Sequence, residues 1–172
     1  PDLDAEKAKI LTGGMVLEPM DGMSLTVDYY AVEITDPVTS KGTSAILESC
    51  YQNGNAEDCA KITRDADSGF IESIDDRLTN LGKTTTAGFD ISAKYANSTS
   101  MGDYGMYADL NMLQHFDNWV YDGEAVGGLK RISGKDNYDL GLLPTMRANA
   151  GMSWNNDGFG LAVNYRFIGG VT

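Results

Sequence analysis

Met146-Arg147-Ala148-Asn149-Ala150-Gly151-Met152-Ser153-Trp154, then Asn155-Asn156-Asp157-Gly158, then Phe159-Gly160-Leu161-Ala162-Val163-Asn164-Tyr165-Arg166-Phe167, is the stretch that sets the architecture of this chain. In the first run Met146, Ala148, Ala150, Met152 and Trp154 share one parity, and Arg147, Asn149, Gly151 and Ser153 share the other. In the last run the odd positions are large and apolar, while the even ones are small or polar. Period two held this long means a strand with two unlike faces. The Asn-Asn-Asp-Gly between them is a tight-turn signal, so the two runs form a β-hairpin.

The same alternation recurs upstream. Leu25, Val27 and Tyr29 alternate with Thr26, Asp28 and Tyr30; Ala87, Phe89, Ile91, Ala93 and Tyr95 alternate with Gly88, Asp90, Ser92 and Lys94. Met106, Ala108, Leu110 and Met112 alternate with Tyr107, Asp109 and Asn111, and a first strand over 10–18 places Leu11, Met15 and Leu17 on one side. This reading gives about six strands. Short turns are expected at 19–22, 97–103 and 155–158, and long polar links at 36–82 and 121–143. Short turns at one end and long loops at the other are the habit of outer-membrane barrels. A helical turn is expected around 44–51, and a small hairpin around Asp65-Ala66-Asp67-Ser68-Gly69.

Composition narrows the classes. With 13 Lys+Arg against 25 Asp+Glu the net charge is −12, which argues against a nucleic-acid partner, since phosphate recognition needs clustered cations. No apolar run approaches the ~20 residues of a membrane-spanning helix. Low mean hydropathy does not exclude a membrane β-barrel, whose strands carry an apolar residue only at every second position. Glycine is abundant, 20 of 172, and nine tyrosines outnumber five phenylalanines, a balance that suits surfaces with one apolar and one wet side. Cys50 and Cys59 sit in a polar loop. They read as a disulfide in an oxidising compartment, against the alternative of two unrelated thiols. The start Pro1-Asp2-Leu3 carries neither an initiator Met nor a signal peptide, so a processed product or an excised fragment is expected.

The polar face carries Asp28, Asp90, Lys94, Asp109, Asn111, Arg147, Asn149, Asn164 and Arg166. Mixed charges persisting through mid-strand suit a water-filled or plugged lumen, with the Met, Leu, Val and Phe side turned to lipid. Tyr29, Tyr95 and Trp154 are expected near strand ends as part of an aromatic girdle. A soluble antiparallel sheet with a solvated polar face fits the same alternation. Six strands cannot close a membrane barrel, because single-chain barrels start at about eight. An open edge in hydrocarbon would leave backbone groups unpaired. On the membrane reading, therefore, the chain is completed by more of a parent polypeptide.

Pro1-Asp2-Leu3-Asp4-Ala5-Glu6-Lys7-Ala8-Lys9, followed by a Gly-rich strand ending Leu17-Glu18-Pro19, resembles the barrel of TonB-dependent outer-membrane receptors. There an N-P-D-L-x-P-E segment precedes a strand ending in an apolar or aromatic residue, a polar residue and Pro. Gly22-Met23-Ser24-Leu25-Thr26-Val27-Asp28-Tyr29-Tyr30 is similar to the family's following strand, as is Thr84-Thr85-Thr86-Ala87-Gly88-Phe89-Asp90-Ile91-Ser92 after Asn80-Leu81-Gly82. Paired loop cysteines also occur in a large subgroup. The resemblance covers essentially the whole chain and departs from the family at Asp4-Ala5, where a Pro usually stands beside Glu.

The resemblance implies an all-β, antiparallel, up-and-down transmembrane barrel segment, about six strands of a barrel of about 22. It implies residence in the bacterial outer membrane and uptake of a scarce nutrient such as a ferric siderophore. The implied partners are membrane lipid, the remaining barrel, a plug domain, a small nutrient ligand, and TonB acting through parts outside these residues. Residues 37–82 and 122–142 would then be extracellular loops.

Little points to an enzyme. His115 is the only histidine and has no partner constellation, so a structural or surface role is expected, with no catalytic residue, cofactor or metal. Asp65, Asp67, Gly69 and Glu72 are similar to a calcium loop but lack EF-hand spacing, and a hairpin turn is the preferred reading. The pairs Gly13-Gly14, Gly127-Gly128 and Gly169-Gly170 have no phosphate-binding context. The loop acids Asp36, Glu48, Glu57, Asp58, Asp75, Asp76, Asp117, Asp122 and Glu124 could attract a cationic ligand, but a plain solvated loop is preferred. Tyr51, Phe70, Trp119 and Tyr121 are candidate ligand-stacking residues that could equally pack loop on loop. The rival functions are a passive outer-membrane channel or adhesin barrel, and a secreted soluble β-sandwich binding module.

Overall fold

The computed structural model describes residues 3–120, 128–134, 136–137 and 141–171. The elements run β1 (Lys7–Leu17), β2 (Met23–Thr35), β3 (Val38–Thr39), α1 (Thr43–Asn53), α2 (Ala56–Cys59), β4 (Ile62–Arg64), β5 (Ile71–Ile74), β6 (Thr79–Asn80), β7 (Lys83–Thr99), β8 (Gly102–Val120), β9 (Gly128–Arg131), β10 (Asp136–Asn137), β11 (Gly141–Leu142), β12 (Met146–Asn156) and β13 (Phe159–Ile168). The main sheet is a meander in the order β1-β2-β7-β8-β12-β13, with β9 added to β8. These are the six alternating runs, each strand beside its successor in that series.

Register confirms the two-face division. Along β8 and β12 the opposed pairs are Met112 with Met146, Leu110 with Ala148, Ala108 with Ala150 and Met106 with Met152. Between them lie Asn111 with Arg147, Asp109 with Asn149 and Tyr107 with Gly151. From β12 to β13 the pairs continue as Ala150 with Tyr165 and Met152 with Val163 on the apolar face, and Asn149 with Arg166 on the polar face. Opposed residues share a face, so a slip of one residue would exchange the two sets.

The hairpin turn behaves as its residues dictate. Asp157 has φ 38 and Gly158 φ 89, two successive left-handed residues of the kind that a two-residue turn needs to match strand twist. The β7–β8 connection is tighter than the expected 97–103 link. Asn97, Ser98 and Thr99 continue β7, and β8 resumes at Gly102. The first turn closes through Met23 N–H donating to the Met20 carbonyl at 3.1 Å.

The chain divides into two compact units: residues 10–32, 86–116 and 132–172 form one, and residues 1–9, 33–85 and 117–131 the other. The first is strand and turn. On it Met15, Met106, Met112, Met152, Leu161, Val163 and Tyr165 all remain exposed, and among its described residues the buried apolar side chains are Ala87, Ile132 and Pro144. Its apolar face is not covered by a second layer of this unit, unlike the faces of a soluble sandwich.

The second unit holds the long 36–82 link, which is folded. α1 and the β4–β5 hairpin fall where a helical turn and a hairpin are expected. Ile46 is fully buried, α1 ends at the left-handed Gly54, and Asn55 caps α2 by accepting from the Glu57 and Asp58 N–H groups. The base of the link is tied by β3 pairing with β6, and by Asp36 N–H donating to the Gly82 carbonyl at 3.1 Å. Of the expected 122–142 loop, residues 122–127, 135 and 138–140 lie outside the described residues. The described part is not plain loop: β9 pairs with the end of β8, and β10 pairs with β11.

Candidate functional site

Two features carry the functional question, the polar strand face and the folded link, and each belongs to one unit. On the polar face Asp28, Asp90, Ser92, Asp109, Asn111, Arg147 and Asn149 line one open depression of ≈ 510 Å³. The side chains are laced across strands. Ser92 Oγ donates to Asp109 at 2.7 Å, Asn111 Nδ2 to Asp90 at 2.7 Å, and Arg166 Nε to Asn149 at 3.2 Å. Tyr107 crosses β12 to donate its hydroxyl to Asn164 Oδ1 on β13 at 2.9 Å. It can do so because position 151 is glycine: a Cβ there would overlap the tyrosine ring. Acids of β2, β7 and β8 and arginines of β12 and β13 thus share one polar face, with bonds lacing β7 to β8, β8 to β13 and β12 to β13. This face can line water or polar protein.

The folded link is organised around Cys50 and Cys59, joined in a disulfide between α1 and α2, and around Asp58. Asp58 is 2 % exposed, with Lys41 bonded to one carboxylate oxygen and Lys61 to the other at 3.1 Å. Burial pushes its carboxyl upward, but hydrogen bonds from Lys41 and Lys61 and the nearby Ser49 hydroxyl outweigh it and hold the group at about 2. Ser49 Oγ acts there as a close dipole, because its geometry falls short of a hydrogen bond. Asp58 is therefore a structural anion, not one of the solvated loop acids expected from composition. Asp75 is bonded by Arg77, and Asp76 accepts from the Gly42 N–H at 3.0 Å. The Arg77 guanidinium holds the Asp75 carboxyl below the ordinary range, and Asp75 raises the Arg77 pKa.

The Asp65–Gly69 segment is a hairpin turn. Asp65 Oδ1 accepts from Ser68 N–H and Oγ at 2.7 and 2.6 Å, which lowers its pKa. No group of three or more His, Cys, Asp or Glu suited to a metal occurs among the described residues. Asn80 carries a role that no motif announces. Its side chain accepts from Asp4 N–H and donates to the carbonyls of Asp4 and Asp36, at 2.8, 2.8 and 2.9 Å, tying the N-terminal segment to the base of the link.

Of the four candidate stacking residues, the side chains of Tyr51 and Phe70 are described. Tyr51 is exposed on α1, with Arg64 bonded to its hydroxyl and 5.6 Å from its ring centre. Phe70 projects beside the β4–β5 turn, 76 % exposed. Trp119 belongs to β8, and Tyr121 lies outside the described residues. His115 is a β8 residue whose carbonyl accepts from the Thr86 hydroxyl at 3.1 Å. Of the expected girdle residues, Trp154 does sit beside a turn, donating Nε1–H to the Met101 carbonyl at 2.9 Å. Tyr29 instead lies mid-strand in β2, packed on Phe89 at 5.1 Å between ring centres.

No curated protein and no solved structure matches the chain. The family described as TonB dependent receptor-like, beta-barrel matches residues 1–172. With the six-stranded meander and its two unlike faces, that match over the full length places the chain: it belongs to the TonB-dependent receptor-like β-barrel family.

Proposed function

We propose that the chain is a wall and external-loop segment of an outer-membrane receptor that imports a scarce nutrient, such as a ferric siderophore, with energy delivered through TonB. Membership of the receptor family supports this, and one observation carries the membrane part of it. The apolar parity of β8, β12 and β13 is exposed or half-buried along the strands, while the opposite parity is a hydrogen-bonded polar wall. That is the division a barrel needs between lipid and lumen. On this reading the short turns face the periplasm, the folded link 36–82 faces outward, and its disulfide matches an oxidising environment. The chain contributes walls, loops and vestibule surface, and transport proceeds without covalent chemistry in these residues.

The test is uptake in cells expressing the full receptor. Accumulation of radiolabelled ferric siderophore should require the receptor, and should stop when TonB is deleted or the proton gradient is collapsed. Accumulation that persists without TonB would favour the passive-channel reading. Full recovery of the receptor in the aqueous fraction, without detergent, would favour a soluble binding module.

A further inference from the structure

We propose that the outward face at the loop-side ends of β1, β2 and β7 is a binding site for the phosphate of a lipid headgroup, a step that rests on the membrane reading above. Along β1 the parity that carries Leu11, Met15 and Leu17 continues toward the N-terminus as Lys9 and Lys7. On β2 the parity of Val27 and Tyr29 continues to Glu33, and on β7 the parity of Ala87 and Phe89 begins at Lys83. Within this unit three of these charged side chains meet, and Lys7 lies two residues before Lys9 on the same parity of β1. Glu33 is 3.9 Å from Lys9 and 2.7 Å from Lys83. Lys9 keeps 87 % of its side chain exposed and reaches Glu33 only at the limit of an ion pair. Lys7 is exposed as well, and its backbone carbonyl accepts from the Thr35 hydroxyl at 3.4 Å. Three ammonium groups against one carboxylate leave two positive charges on one outward patch.

Several physical points favour a lipid phosphate. The chain carries 13 basic residues in a net charge of −12, so three lysines on one face run against its overall composition. The patch follows the apolar positions of the same strands within two to four residues, at ~3.3 Å per residue, which is the depth of headgroups where acyl chains end. Long lysine stems lie along apolar surface while their ammonium groups reach outward. A cation near an anionic membrane surface gains about fivefold in binding for each charge. Glu33 draws Lys9 and Lys83 toward one point and offsets one of the three positive charges, so neutralising it strengthens the pull on an anion.

The experiment uses the full-length receptor in detergent micelles, with retained lipid counted by native mass spectrometry. The probes are a diphosphorylated glycolipid, a phosphatidylcholine and inorganic phosphate. The wild type should retain the diphosphorylated lipid at least ~10-fold more tightly than the Lys7→Gln/Lys9→Gln/Lys83→Gln variant, with no difference for phosphatidylcholine. The Lys→Arg triple variant should retain the lipid, and Glu33→Gln should bind it more tightly. Inorganic phosphate at millimolar concentration should not displace it. Equal retention by wild type and the Gln variant, in a receptor that inserts into vesicles, overturns this inference and leaves the membrane reading intact. A receptor that does not insert at all overturns both. Displacement by inorganic phosphate alone would make the site a free-anion site and overturn the lipid assignment.

Discussion

Asp58 is an ionised carboxylate buried between Lys41 and Lys61, and its environment fixes a pH dependence. Its pKa is lowered from 3.8 in the unfolded chain to about 2 in the folded link. A lowered folded pKa contributes stability that is complete above about 4 and is lost as pH falls from about 4 to about 2. The shift corresponds to roughly 2 kcal/mol. Protease protection of residues 43–80 should therefore hold from pH 7 to about 5 and fall away below about 4. Asp58→Asn should flatten that profile and lower protection at pH 7, because it leaves two ammoniums without their shared anion. At residue 151 the prediction is steric. Gly151→Val places side-chain atoms where the Tyr107 ring lies and should destabilise the folded wall by about 1–3 kcal/mol, read as a lower heat-modification midpoint on gels. Tyr107→Phe removes only the bond to Asn164 and should cost about 0.5–1.5 kcal/mol. Neither Asp58 nor Asn80 is legible as special in the sequence. Lys61 is only three residues from Asp58, but the other partners lie as far away as Lys41, Asp4 and Asp36, and no short-range spacing encodes those meetings.

Among the elements, the strands were legible because period two is local: Met146 to Trp154 and Phe159 to Phe167 announce their faces residue by residue. Strand ends were less legible. β7 runs on through Asn97-Ser98-Thr99, where side chains turn polar but the neighbouring strand still supplies backbone partners, whereas β8 ends at Val120, where the 121–143 link is expected to begin. The folding of the link was partly legible, since a helical turn, a hairpin and a cysteine pair all appear in the sequence. What alternation and spacing do not reveal is that these pieces share the buried Ile46 and Asp58. Replacing both Cys50 and Cys59 by Ser should destabilise the link by about 2–3 kcal/mol for a loop this short. The effect should appear as faster proteolysis within residues 43–80, with heat modification of the strand wall unchanged.

For the whole molecule the central point is orientation. The main sheet ends in β1 on one side and β13 on the other, and edges in hydrocarbon need partners, which the rest of a larger receptor barrel would supply. Val163→Arg puts a charge on the exposed apolar parity and should hinder insertion by ~2–4 kcal/mol near the bilayer midplane. Ala162→Arg, one position along on the polar parity opposite Ser153, should be tolerated. The most direct measurement places single cysteines one at a time from 160 to 167 in the vesicle-inserted receptor, labels each with a fluorophore, and reads quenching by brominated lipid against quenching by aqueous iodide. Positions 161, 163, 165 and 167 should be quenched by the lipid and shielded from iodide, and positions 160, 162, 164 and 166 should show the reverse. Iodide quenching at every position, without alternation, would contradict the account.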